Sequence, residues 1–327
     1  MPSGVSVIMP LLSKLAGAIP ALCLLLWAQE SGPVFRADTR LVVLHASVVD
    51  RNGKLLTNLP RSAFRVYEDN VEQQIKIFRR EDVPVSMGLV IDNSGSMRDK
   101  RQKVEAAAIQ LVKASNPRDE VFIVNFNEDA YLDVDFTSDI HVMEEGIARI
   151  DSRGGTAMRD AILLSVQHLM EKGKHDKKVL FVVTDGNDNA SEITLEKLVQ
   201  RLQQSEVVVY AIGLLSEEDK REARRARRAL DAITQATGGL AFYPASVEEV
   251  SKIALQVAHD IRNQYIIAYT PSNPVLDGSY RQIRVTVNGP NRPTVRTRTG
   301  YYATPEPARR PASGSGSSGG AASALRP

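Results

Sequence analysis

Apolar residues recur along this chain in two different rhythms. Within residues 34–82 they fall into short runs near a period of two. Residues 40–49 are apolar and β-branched, Phe64-Arg65-Val66-Tyr67 alternates, and residues 74–78 alternate again. This rhythm predicts short strands with one buried face, and no stretch here has a helical period. Asp50-Arg51-Asn52-Gly53 predicts a turn, Asn-Gly being the strongest two-residue hairpin signal.

At Val85 the rhythm changes. Near-continuous apolar runs at 85–91, 121–126, 179–184 and 207–212 predict buried strands, with a shorter one at 240–243. Between them lie helical patterns at 103–114, 140–150, 157–170, 193–202, 217–237 and 247–262; in the first, Val104, Ala108, Leu111 and Val112 share one face. Gly238-Gly239 is expected to end the fifth helix. Apolar strands alternating with amphipathic helices imply a mostly parallel sheet covered on both faces. Residues 85–262 are therefore expected to form a doubly wound α/β domain.

After Arg262 the short period returns at 265–269, 282–287 and 294–299, with a loop at 271–279. Each β-rich flank is too short for a good core of its own. Segments 34–82 and 263–303 are expected to pair into one small β-sandwich, with the α/β domain inserted between them. Residues 304–327, rich in Pro, Ala, Gly and Ser, are expected to be a disordered tail.

Composition narrows the function. The chain has 327 residues, 43% of them hydrophobic, enough for one large core and a smaller one. Its 41 basic and 39 acidic side chains give a net charge of +2, which argues against a general nucleic-acid binder. Lys14, the apolar run 15–27 and Ala28 have the pattern of a secretory signal peptide over residues 1–28. The run is short for a membrane span of about 20 residues. Residues 5–12 are also apolar, however, so an uncleaved membrane anchor stays open as the alternative. A lipoprotein is disfavoured by Leu22 before Cys23. The expected location is secreted or periplasmic. Cys23 is the only cysteine, so a cleaved chain has neither disulfides nor thiol chemistry.

Three loops carry the candidate chemistry: Asp92-Asn93-Ser94-Gly95-Ser96 after the first buried strand, Gly154-Gly155-Thr156 before a helix, and Thr184-Asp185-Gly186 at the end of another strand. All three are expected at the carboxyl edge of the sheet, where open α/β folds bind ligands. Asp92, Ser94, Ser96, Thr156 and Asp185 offer only oxygen, which suits a hard cation such as Mg2+, Ca2+ or Mn2+. Two carboxylates do not complete an octahedral shell, and the remaining position can accept a carboxylate from another molecule.

Taken in order, Asp-x-Ser-x-Ser, a distant Thr and Thr-Asp-Gly resemble the metal-ion-dependent adhesion site of von Willebrand factor type A domains, over about residues 85–262. The resemblance implies that Ser94, Ser96 and Thr156 coordinate the ion through hydroxyls, and that Asp92 and Asp185 bind it directly or through water. With its β-rich flanks and signal segment, the chain also resembles a bacterial group of exported proteins with this domain. The function expected is cation-dependent binding of a protein partner that offers an acidic side chain, with no enzymatic step. A scaffolding protein of an envelope complex that does not need the ion is the alternative, and a metal-dependent phosphoesterase using Asp92 the third reading.

Other signals weigh less. Ser96 and Asp99 fit a helix cap. Asp188 reads as a solvated loop residue, and Asp160 as either a buttress of the threonine loop or a polar residue of the first helical turn. Arg221, Arg224, Arg225, Arg227 and Arg228 read as the solvated face of a helix whose core stripe is Ala223, Ala226, Leu230 and Ile233. No two of the five histidines have zinc-ligand spacing. The glycine motifs within 314–320 neither follow a strand nor open a helix.

Overall fold

The computed structural model of the chain describes residues 41–148, 153–186, 188–215, 219–289 and 291–305. The expected signal segment and nearly all of the expected tail lie outside these residues.

The first flank supplies β1 (Val42–Val49), β2 (Phe64–Glu68), β3 (Val71–Gln73) and β4 (Ile75–Arg79). The α/β region follows as β5 (Val85–Asp92), α1 (Arg101–Lys113), β6 (Glu120–Phe126), β7 (Ala130–Thr137), α2 (Ile140–Ala148), α3 (Met158–Lys172), β8 (Lys177–Thr184), α4 (Leu195–Gln204), β9 (Val208–Gly213), α5 (Lys220–Thr237), β10 (Ala241–Phe242) and α6 (Val250–Arg262). The second flank adds β11 (Tyr265–Tyr269), β12 (Tyr280–Val287), β13 (Thr294–Arg296) and β14 (Gly300–Tyr302).

The central sheet has the order β10-β9-β8-β5-β6-β7. Neighbours are parallel except β7, which runs antiparallel to β6 at the edge. β7 is an addition to the strands read from the sequence. Every residue of β5, β6 and β9 is buried, as their unbroken apolar runs require. On one face Met87, Leu89 and Ile91 pack with residues of α1, α2 and α6; on the other Val90, Phe122 and Leu180 pack with residues of α3, α4 and α5.

The flanks fold together. One four-stranded antiparallel sheet is ordered β13-β1-β11-β4, the other β14-β12-β2-β3, so each sheet draws strands from both sides of the α/β region. Leu44, Phe64, Val66, Tyr265, Ile267 and Tyr269 form their shared core. The alternation read at 74–78 is β4, and a short extra strand, β3, precedes it: β3 pairs with β2 in one sheet, while β4 pairs with β11 in the other. Asp50-Arg51-Asn52-Gly53 does turn, its Asp50 Oδ1 accepting from the N–H groups of Asn52 and Lys54. The returning chain, however, makes only one bridge, Val49 to Leu55. The edges of β1 are taken instead by β11 and β13.

The two parts meet at the amino edge of the central sheet. Arg262, the last residue of α6, donates through Nη1 to Asp82 Oδ1 at 2.8 Å and through Nη2 to Asp119 Oδ2. Asp119 Oδ1 also accepts from the N–H of Val85 at 2.8 Å. One arginine thus joins the chain entering the α/β region to the chain leaving it. Nearby, Tyr210 Oη and Arg296 Nη2 each donate to Asp260 Oδ2 at 2.9 Å, and Gln264 Nε2 reaches Tyr210 Oη at 3.0 Å. His45 lies buried at this junction, its pKa lowered to about 3 by burial and by the charges of Lys177 and Arg298. The ring is therefore neutral.

Asp119→Ala leaves Arg262 without its buried counter-charge and Val85 without its acceptor. The expected loss is about 3–5 kcal/mol of stability, measured by denaturant unfolding. A loss under about 1 kcal/mol would show that the clamp does little.

Candidate functional site

The pairing of β5 with β8 brings the first two candidate loops together. Its register runs to Ile91 opposite Val183, so Asp92 and Thr184 leave the sheet side by side. Thr184 Oγ1 donates to Asp92 Oδ2 at 2.6 Å, and the N–H of Ser94 donates to Asp92 Oδ1 at 2.8 Å. The hydroxyls of Ser94 and Ser96 lie 3.1 Å apart. Asp92 and Ser94 are buried, whereas Ser96 is exposed.

Backbone hydrogen bonds tie the third loop to the other two. Arg153 N–H donates to Asn93 O at 2.9 Å, and Gly95 N–H to Gly154 O at 3.3 Å. On the other side Thr156 N–H donates to Asn189 Oδ1 at 2.9 Å, while the N–H groups of Asn189 and Ala190 donate to Thr156 O at 3.1 Å. This approach needs glycine beside Thr156: a Cβ on Gly155 would lie 2.8 Å from Asn189 Oδ1. Thr156 itself is buried.

The electrostatics of the site are unbalanced. Burial pushes the pKa of Asp92 up to about 6; the charge of Asp185 adds to the rise, and the hydrogen bonds from Ser94 and Thr184 oppose it. Asp185 Oδ1 is buried and has no hydrogen-bond partner. Its Oδ2 lies 3.8 Å from Lys100 Nζ, which also donates to Leu214 O at 3.3 Å. Two mutually repelling carboxylates, one with an orphaned buried oxygen, beside three hydroxyl-bearing side chains on stitched loops form a donor set that fits a hard divalent cation. Among the described residues no group of three or more His, Cys, Asp or Glu comes together for a metal; here hydroxyls complement two carboxylates.

Several roles differ from the sequence reading. Asp188 is not a solvated loop residue. Its side chain is 9% exposed and meets Arg159 Nε at 3.0 Å and Nη2 at 3.2 Å, with Ser191 Oγ at 2.9 Å. Asp160 is a buttress, but of the loop after β8: it accepts from the N–H groups of Glu192 and Ile193 at 2.7 and 3.0 Å. Ser96 does not start a helix; a 3-10 turn spans Gly95–Lys100 and its N-cap, Ser94, makes no side-chain cap bond. Asn189, which holds Thr156, and Lys100, which faces Asp185, were both missed. A polar Asn187-Asp188-Asn189 loop next to Thr-Asp-Gly was the available signal for the first. Nothing in the local pattern signals the second.

The raised pKa of Asp92 predicts a pH dependence in metal-free, chelated protein. The folded state takes up a proton near pH 6 and the unfolded chain only near 3.8. The protonated site's extra stability is therefore fully present below about pH 3.8 and is lost as pH rises through 6, by up to about 3 kcal/mol. Asp92→Asn removes this component, so its stability relative to wild type should grow across that window. Parallel unfolding curves between pH 4 and 7 would contradict it.

Residues 87–187, from β5 past β8, match the von Willebrand factor type A domain family. The chain is 25% identical over 226 residues to inter-alpha-trypsin inhibitor heavy chain H4 of Homo sapiens, covering 63% of this chain and 23% of that protein. It is 28% identical over 133 residues to the Sus scrofa heavy chain H4, covering 38% of this chain and 14% of that one. The chain thus spans less than a quarter of the length of these curated relatives. A solved structure of von Willebrand factor type A from Catenulispora acidiphila superposes with a TM-score of 0.48 at 12% identity, over 83% of this chain and 75% of that one. The inserted α/β region therefore contains a segment, residues 87–187, that matches the von Willebrand factor type A domain family.

Proposed function

We propose that the chain is a divalent-cation-dependent protein-binding module of an exported protein. The observation that carries this reading is the pair Asp92 and Asp185: burial and the charge of Asp185 raise the cost of ionising Asp92, and Asp185 Oδ1 is buried without a partner. A cation between them relieves both defects. Ser94, Ser96 and Thr156 would contribute hydroxyls, with Mg2+ the first candidate and Ca2+ or Mn2+ the others. When bound, the ion offers a coordination position that a partner's carboxylate fills. The protein residues hold the ion and orient it; no bond is made or broken.

The test is a thermal melt with and without millimolar Mg2+. At 100 times the dissociation constant the wild type should gain about 2.7 kcal/mol. Asp92→Ala should fold, since it removes a repulsive charge, yet show no Mg2+ response; Thr156→Ala should respond weakly. No Mg2+-dependent shift in wild type and no heat of binding by calorimetry would remove the reading.

One observation favours the ion-independent scaffolding alternative. Lys100 Nζ, 3.8 Å from Asp185, already supplies a positive charge at the site. If Lys100 opposes the ion, Lys100→Met should tighten Mg2+ binding by about tenfold. If Lys100 stands in for the ion, the wild type will ignore Mg2+ and Lys100→Met will destabilise the fold.

A further inference from the structure

A cleft of about 580 Å³ opens between the start of α3, the loop after β8 and the first half of α5. Five arginines line it: Arg159, Arg221, Arg224, Arg225 and Arg228. Gly186, one residue beyond Asp185, is part of its wall. Loop and helix touch closely there, because a Cβ on Gly186, whose φ is +82°, would fall 2.6 Å from the Cβ of Ala226. The cleft therefore begins beside the oxygen-bearing edge described above.

Its charge is not balanced by the described residues. Of the two acids in its wall, Asp188 is engaged by Arg159, which leaves Glu222. Asp219 accepts from the backbone N–H groups of Arg221 and Glu222 through Oδ1, and the charges of Arg221 and Arg225 reach it more weakly. Among the described residues, Arg224 Nε donates to a backbone carbonyl, that of Lys220. The arrangement is also unfavourable for the helix. Arg221, Arg224, Arg225 and Arg228 are three and four residues apart on one face, where like charges repel, and they crowd the end of α5 whose dipole favours anions. Arg227, outside the cleft, is different: its guanidinium lies over the Tyr243 ring at 3.8 Å. A merely solvated face requires neither a concave surface nor this crowding.

We propose that the cleft receives an acidic peptide segment of the partner protein, continuous with the carboxylate that completes the cation's coordination; the link to the cation rests on the function proposed above. Guanidinium groups pair with carboxylates through two parallel N–H···O bonds. The four α5 arginines that line the cleft run along about 10 Å of helix axis, one turn being about 5.4 Å. Acids at every second residue of an extended peptide recur at about 6.6 Å on one side. Such a segment can engage several arginines at once, which a single small anion cannot.

The experiment uses the full chain and two synthetic peptides followed by fluorescence anisotropy. One carries a single glutamate, the other glutamates at alternate positions. In Mg2+ the second should bind about tenfold more tightly, a gain that shrinks as salt rises. Arg224→Gln with Arg228→Gln, which keeps good helix formers, should remove that gain and leave the Mg2+ thermal shift unchanged. The proposal is overturned if the double variant binds both peptides as wild type does. Displacement of the acidic peptide by inorganic phosphate or a sulfated dextran at concentrations where free polyglutamate has no effect would equally overturn it. If Mg2+ stabilises the protein but the two peptides bind alike, the cleft proposal fails and the cation reading stands. If arginine-dependent binding persists in EDTA and no Mg2+ shift exists, the cation reading fails and the cleft stands as the acidic-peptide site.

Discussion

The parallel ladder between β5 and β8 is the interaction on which the rest of the site depends. It is central in the sheet and buried on both faces, so a one-residue slip would turn apolar side chains out of two cores at once. With that register held, Asp92 and Thr184 end at the same height, and the 2.6 Å hydrogen bond between them follows. The loops beyond need no regular structure of their own. They are held by a few backbone bonds to one another and to Asn189, so the positions of five oxygen-bearing side chains derive from one strand pair.

That arrangement gathers acids in a place that folding alone would avoid. Two carboxylates lie near each other, and one of them is almost out of water. Hydrogen bonds from Ser94 and Thr184 offset part of the cost for Asp92, and Lys100 part of it for Asp185, but an oxygen of Asp185 is still unpaired. Buried polar atoms without partners are uncommon in native proteins, and this one lies in the same site as Asp92. The arginines of α5 repeat the theme with opposite sign. Among the described residues positive charge in excess sits next to the two carboxylates of the site, with the Arg159–Asp188 pair nearby.

The architecture was legible, and the five candidate residues could be singled out, because each rests on a local regularity. Fully buried strands read as unbroken apolar runs, amphipathic helices as a 3.6-residue stripe, and the site as short motifs at strand ends. What escaped depended on partners distant in sequence. β7 is an edge strand whose Tyr131 and Leu132 stay exposed, so its alternation carries little contrast. β3 is three residues long with two of them exposed, too short to show a period, and the change of sheet between it and β4 is visible only when both sheets exist. Asp188 looks like a loop aspartate until Arg159, 29 residues earlier, closes on it. Lys100 sits in a run of charges, and only folding brings it to Asp185.

The Arg262 clamp has a mechanical consequence. The chain enters the α/β region at Val85 and leaves it at Arg262, both at the edge of the sheet opposite the oxygen-bearing loops. A pull applied by a tethered ligand would therefore run lengthwise down β5, about 26 Å for eight residues, before reaching the sandwich. There it divides between two covalent connections lying side by side and bridged by one guanidinium. Tension loads both connections in parallel and enters the sandwich through β4 and β11, which pair antiparallel with each other.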